Sequence, residues 1–117
     1  NNQVPQTQKE TDTDSTGISK VGSYTGTGSA INVDCGFTGG ARFVLIKRTD
    51  ATGSWLVYDT SRGIVSGNDP YVRLESSQVE TTDEDHIGPL NAGFTVSAGS
   101  GGDTNNSGAS YIFLAIA

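Results

Sequence analysis

Cys35 and His86 are the only residues of their types in the chain, so a Cys–His catalytic pair would have to be drawn from them. Neither is placed for it. The nearest charged neighbour of Cys35 is Asp34, whereas a reactive thiolate needs an electropositive surround. A buried, inert thiol is the better reading, and one cysteine forms no internal disulfide. His86 closes the run Asp83-Glu84-Asp85-His86. Carboxylates are suitable hard ligands for calcium. Yet the run lacks the D-x-D-x-D-G spacing with a distal Glu, and adjacent acids in extended chain point in alternating directions. A solvated loop is expected there. Asp12, Asp14 and Asp103 make weaker candidates still. No G-x-S-x-G is present, and no spacing among the 13 acids marks a glycosidase pair. Gly26-x-Gly28 and Gly99-Ser100-Gly101-Gly102 lack the strand-to-helix context of a phosphate loop. Asn105-Asn106-Ser107 fits a glycosylation sequon by pattern only. No catalytic residue, cofactor or metal ligand is assigned, and the chain reads as no enzyme.

Four residues stand out for another reason. Asp59 and Arg62 lie three apart at a strand end, followed by Gly63. An exposed Asp–Arg pair could bind a sugar hydroxyl or a carboxylate. A structural role is preferred: the planar guanidinium clamps Asp59 and the carbonyls of the 60–70 loop together, and Gly63 is free to take a positive φ. Trp55, the single tryptophan, is expected in the core with its indole N–H satisfied. In the other reading Trp55 and Tyr58 are the candidate glycan contacts, since lectin-like sites stack a ring on a sugar.

These residues need a scaffold, and the chain spells out short strands. Ala41–Arg48 (ARFVLIKR) has Phe43 and Leu45 on one face and Val44 and Ile46 on the other. Ala109–Ala117 (ASYIFLAIA) is likewise apolar on both faces. Both are expected at the centre, covered on both sides. Thr49–Gly53 is a turn of hairpin length, and Ser54–Asp59 is its return strand. Strands are also expected over 20–25, 30–33, 71–74 and 93–98. Residues 75–92 read as a polar, acidic loop and 99–108 as a flexible one. That makes seven or eight strands and no segment of helical period. The expected fold is an all-β antiparallel sandwich of jelly-roll type over 19–117, preceded by a polar extended arm over 1–18.

Composition agrees. Of 117 residues, 16 are Gly, 13 Ser and 14 Thr, while hydrophobic residues make up only 33%. The core must therefore be small. No apolar run approaches membrane-spanning length, and the polar N-terminus reads as neither signal nor transit peptide. The net charge is −6, and residues 63–117 hold seven acids against Arg73 alone. Nucleic-acid binding is not expected of such a chain.

A spaced pattern runs from Tyr24 to Ala117: Tyr24-Thr25-Gly26-Thr27-Gly28, Arg42-Phe43-Val44-Leu45-Ile46-Lys47-Arg48, Trp55 with Asp59-Thr60-Ser61-Arg62-Gly63, Asn91-Ala92-Gly93-Phe94-Thr95-Val96, and Asn106-Ser107-Gly108 leading into Ala109–Ala117. It resembles an uncharacterised C-terminal β domain of tailed-phage virion structural proteins, of the cyanophage and marine-phage type. Ile116 replaces that family's closing aromatic, and residues 64–90 match weakly. The resemblance implies a non-enzymatic structural module of a virion, in a fibre, an appendage or a head decoration protein, assembled in the host cytoplasm. Its partners would be other virion proteins and copies of itself. A small core favours homo-oligomers, a trimer being expected. The alternative is a host-adhesion domain that binds a surface glycan.

Overall fold

The computed structural model describes residues 18–98 and 102–117. Of the arm read over residues 1–18, residues 1–17 with Asp12 and Asp14 lie outside the described residues, as do residues 99–101. Among those described, eight strands form: β1 (Ser19–Thr25), β2 (Ile31–Asp34), β3 (Phe43–Arg48), β4 (Leu56–Asp59), β5 (Val72–Arg73), β6 (Ile87–Leu90), β7 (Gly93–Val96) and β8 (Ser110–Ile116). They pair antiparallel in two sheets, a five-stranded one in the order β1-β8-β3-β4-β5 and a three-stranded one in the order β2-β7-β6. The fold is an all-β sandwich, as the alternation of the sequence requires.

The core lies between the sheets. Val44, Ile46, Leu56, Tyr58, Tyr111, Phe113 and Ala115 point inward from the larger sheet, and Val33, Ile87, Phe94 and Val96 from the smaller. Phe94 meets Phe113 edge-on across the two layers, with ring centroids 5.3 Å apart. Burying each large side chain stabilises by roughly 1.5–3 kcal/mol. On the inner face of β1, Gly22 makes room for that packing: a Cβ there would lie 3.0 Å from the Phe113 ring.

β8 and β3 are adjacent in the middle of the five-stranded sheet. Their expected cover on both sides is not found. One face packs on the core. On the other, Val21 is 74% exposed, Ile112 41% and Trp55 38%. A local apolar pattern records that a face avoids water, not which element covers it.

The reading of 75–92 as a loop is corrected by β6. Pro89 hides this strand from a propensity reading, because proline cannot donate to a ladder. Proline is tolerated here since β6 is an edge strand, paired to β7 alone, and Pro89 is exposed. Leu90 pairs with Gly93, so Asn91-Ala92 is a two-residue hairpin loop.

Candidate functional site

The outer face of the five-stranded sheet is built row by row, because cross-strand partners in an antiparallel ladder share a face. The middle row is Val21, Leu114, Leu45, Val57 and Val72, apolar from edge to edge. One flanking row holds Ser19, Ile116, Phe43 and Asp59. The other holds Ser23, Ile112 and Lys47. Trp55 completes that end, lining a shallow groove with Val21, Leu45, Lys47 and Ile112.

Trp55 is therefore not the core tryptophan expected. It precedes β4 on the outer side, and the Lys47 ammonium lies 5.9 Å from its ring centroid. That ammonium also donates to the Arg48 carbonyl at 2.6 Å. The Trp55 N–H of the main chain donates to Glu75 Oε1 at 3.0 Å. Tyr58 points the opposite way and is fully buried. The two candidate glycan contacts thus lie on opposite faces, and Tyr58 is not presented to any sugar.

The Asp59 end carries a fixed turn. Asp59 Oδ1 accepts the Arg62 main-chain N–H at 2.8 Å, and Oδ2 pairs with the Arg62 guanidinium. Gly63 N–H donates to the Asp59 carbonyl at 2.9 Å, and Gly63 takes φ 129°. The guanidinium was expected to reach the 60–70 carbonyls as well. Its other partner is instead Glu80, with Nε–Oε2 at 3.1 Å. An ion pair on the surface replaces the buried clamp, since a carboxylate outcompetes a carbonyl for a guanidinium.

His86 is corrected most. It is 4% exposed, not in a solvated loop. Its Nδ1 lies 2.7 Å from the Tyr58 hydroxyl and its Nε2 3.0 Å from Glu84 Oε1. A carboxylate only accepts, so Nε2 carries the proton and Tyr58 donates to Nδ1. The Tyr71 hydroxyl donates to the same Glu84 oxygen at 2.7 Å and accepts from Arg73 at 3.2 Å. Burial lowers the His86 pKa and raises those of Tyr58 and Tyr71, so all three are neutral near pH 7. The acids beside His86 diverge: Asp85 accepts from the Ser97 hydroxyl at 2.8 Å, while Glu84 turns to Tyr71. Among the described residues no three His, Cys, Asp or Glu side chains gather as metal ligands. Cys35 is buried, and burial pushes its thiol up to about 11.

Two residues escaped the sequence reading. Asp69 is wholly buried, with Oδ2 accepting the Val65 N–H at 2.7 Å and Oδ1 without a partner. Asn105, matched to a sequon, is 2% exposed and spent on structure. Its Oδ1 accepts from Thr27 N–H (2.8 Å) and Gly28 N–H (3.1 Å), and its Nδ2 donates to the Ser29 (2.8 Å) and Ser97 (3.1 Å) carbonyls. It is no glycan acceptor. No sequence signal marks Asn105 within its Gly- and Ser-rich stretch; the main chain closes the same junction, where Gly26 N–H donates to the Ala109 carbonyl and Gly108 N–H to the Gly26 carbonyl, both at 2.9 Å.

The chain belongs to the family described as Domain of unknown function (DUF7483), whose model matches residues 12–117. No curated protein and no solved structure matches the chain.

Proposed function

We propose that the chain is a non-enzymatic structural module of a phage virion, part of a fibre, an appendage or a head decoration protein. It works by assembly with other virion proteins and with copies of itself. The observation that carries this is the outer face of the five-stranded sheet, whose middle row is apolar across all five strands. Exposed apolar patches of this extent mark interaction surfaces. The spaced motifs that resemble tailed-phage virion domains supply the setting. The side chains with chemical potential are engaged in structure: Asp59 and Arg62 in a turn, His86 in a hydrogen-bonded chain between buried Tyr58 and exposed Glu84. Mass spectrometry of purified particles from the encoding phage tests the assignment. The chain is expected among the particle proteins in stoichiometric amount. Its absence from particles, with free chain left in the lysate, overturns the reading.

Exposure of Trp55 favours a second reading, a glycan-binding adhesion domain. Its ring would stack on a sugar, with Lys47 at its side. A glycan array probed with the chain and with Trp55→Ala separates the two: signal lost in the variant supports adhesion, and no signal from either leaves assembly alone.

A further inference from the structure

The outer sheet face carries a charge pattern as well as apolar surface. Of the side chains that the register places on it, Lys47 and Asp59 alone are charged. They occupy the two flanking rows, at opposite ends of the strands, with the apolar middle row between them. Lys47 gives one end a positive charge, and at the other the Asp59 and Glu80 carboxylates outnumber the Arg62 guanidinium between them, so with an uncharged centre the face is complementary to itself once a copy is reversed along the strand direction. We propose that this face packs against the same face of a second copy of the chain, about a twofold axis running across the strands, so that the row carrying Lys47 in each copy opposes the row carrying Asp59 in the other, the two charges one strand apart. This rests on reading the face as an assembly surface and adds the partner and the symmetry.

Size supports the pairing. Strands about 4.8 Å apart and rows about 6.8 Å apart, with a side-chain margin, give a face of roughly 500 Å². That lies within the roughly 300–600 Å² of the largest patch on a typical monomer, patches that are often functional. Two copies together remove about 1,000 Å² from water, the lower bound for a specific interface. Sheet-on-sheet stacking at about 10 Å repeats the packing already present inside the sandwich. Residues 1–17 are a poor alternative cover, because Val4 and Pro5 are their only sizeable apolar residues.

Sedimentation velocity on the full chain at tens of micromolar is the test, and the twofold face predicts a dimer in place of the trimer expected from the small core. Val21→Asp changes a residue 74% exposed in the single chain, so the fold tolerates it. That variant is expected to sediment as a monomer with an unchanged far-UV circular dichroism spectrum. Lys47→Glu is expected to raise the dimer dissociation constant at least tenfold. An axis across the strands brings Val21 of the two copies together, whereas an axis along them sets Val21 against Val72. Val21→Cys is therefore expected to cross-link to itself through a short bismaleimide, while Cys35 stays buried and unreacted. A monomeric wild type, a trimer, or a Val21→Asp chain that still dimerises overturns the pairing. A dimer that does not cross-link at Val21→Cys overturns the axis. A monomer found in purified particles refutes the pairing and keeps the virion role; a dimer absent from particles does the reverse.

Discussion

Asp69 holds a carboxyl group with no exposure and one unpartnered oxygen. Burial raises its pKa to about 6, against the opposing pull of the Val65 and Ile87 main-chain groups. The folded value lies above the unfolded one, so the folded state keeps a proton that the unfolded chain has released. The stability this contributes is present below about pH 4 and is lost as pH rises through about 6. Asp69→Asn keeps the shape without the titration. Relative to wild type, its Tm is expected to improve by several degrees between pH 4.5 and pH 7.5; an unchanged difference overturns the buried-carboxyl account. His86 acts with the opposite sign, since its folded pKa is lowered: its contribution is present above about 6.5 and lost as pH falls. At the Asp59 turn, the side chains of Arg62 and Asp59 are 37% and 20% exposed, so solvent screens the pair. Denaturant melts of Asp59→Ala, Arg62→Ala and the double variant are expected to give a coupling of about 0.5–1 kcal/mol. Asp59→Ala is expected to cost more than Arg62→Ala, because Asp59 also accepts the Arg62 main-chain N–H. A coupling near zero would show that the two do not act together. The Asp59-to-Gly63 turn was legible because aspartate, glycine and their spacing state a local geometry. Glu80, eighteen residues beyond Arg62, carried no such signal.

Strands announce themselves when alternation is long and uninterrupted, and β3 and β8 did. β6 did not, since Gly88 and Pro89 occupy half of its four residues. Only the position of β6 at a sheet edge makes them acceptable, and edge position is a property of topology. The close approach of β2 to β7 is another feature that topology alone reveals. At Gly93 a Cβ would lie 2.2 Å from the Val33 carbonyl oxygen and 2.9 Å from Cys35 Sγ. The obstacle is main chain, which cannot swing aside as a side-chain tip can. Gly93→Ala is expected to destabilise by about 2–4 kcal/mol, read from urea melts. Gly39→Ala serves as the control, since nothing lies within 4 Å of a Cβ there and its φ is not positive. It is expected to stay within about 0.5 kcal/mol of wild type. Equal losses in the two variants would show that the β2–β7 contact is not tight.

At the scale of the whole molecule, one core between two sheets is closed at one end by loops that side chains hold together. Tyr24 and Tyr111 stack with ring centroids 5.0 Å apart, and their hydroxyls donate to the Thr104 and Gly102 carbonyls, both at 2.7 Å. Asn105 then joins the 27–29 turn, which lies nearly eighty residues before it in sequence, to Ser97. The sandwich was readable from alternation and turn residues, but this closure was not, because an asparagine in a Gly- and Ser-rich stretch looks like any loop residue. Asn105→Ala leaves the Thr27 and Gly28 N–H groups and the Ser29 and Ser97 carbonyls short of their partner in part-buried bonds, each costing about 0.5–1 kcal/mol. A fall in Tm of roughly 8–15 °C is expected for a chain of this size. Asn105→Asp is the sharper variant. A carboxylate still accepts from Thr27 and Gly28, but it cannot donate to Ser29 or Ser97 and places a charge where Asn105 is 2% exposed. At pH 7 it is expected to melt below Asn105→Ala. As pH falls towards 4 the carboxylic acid regains one donor, so Asn105→Asp is expected to recover relative to Asn105→Ala. Two variants melting alike at both pH values would show that the donated bonds contribute nothing and that filling the space between the loops is all that Asn105 does.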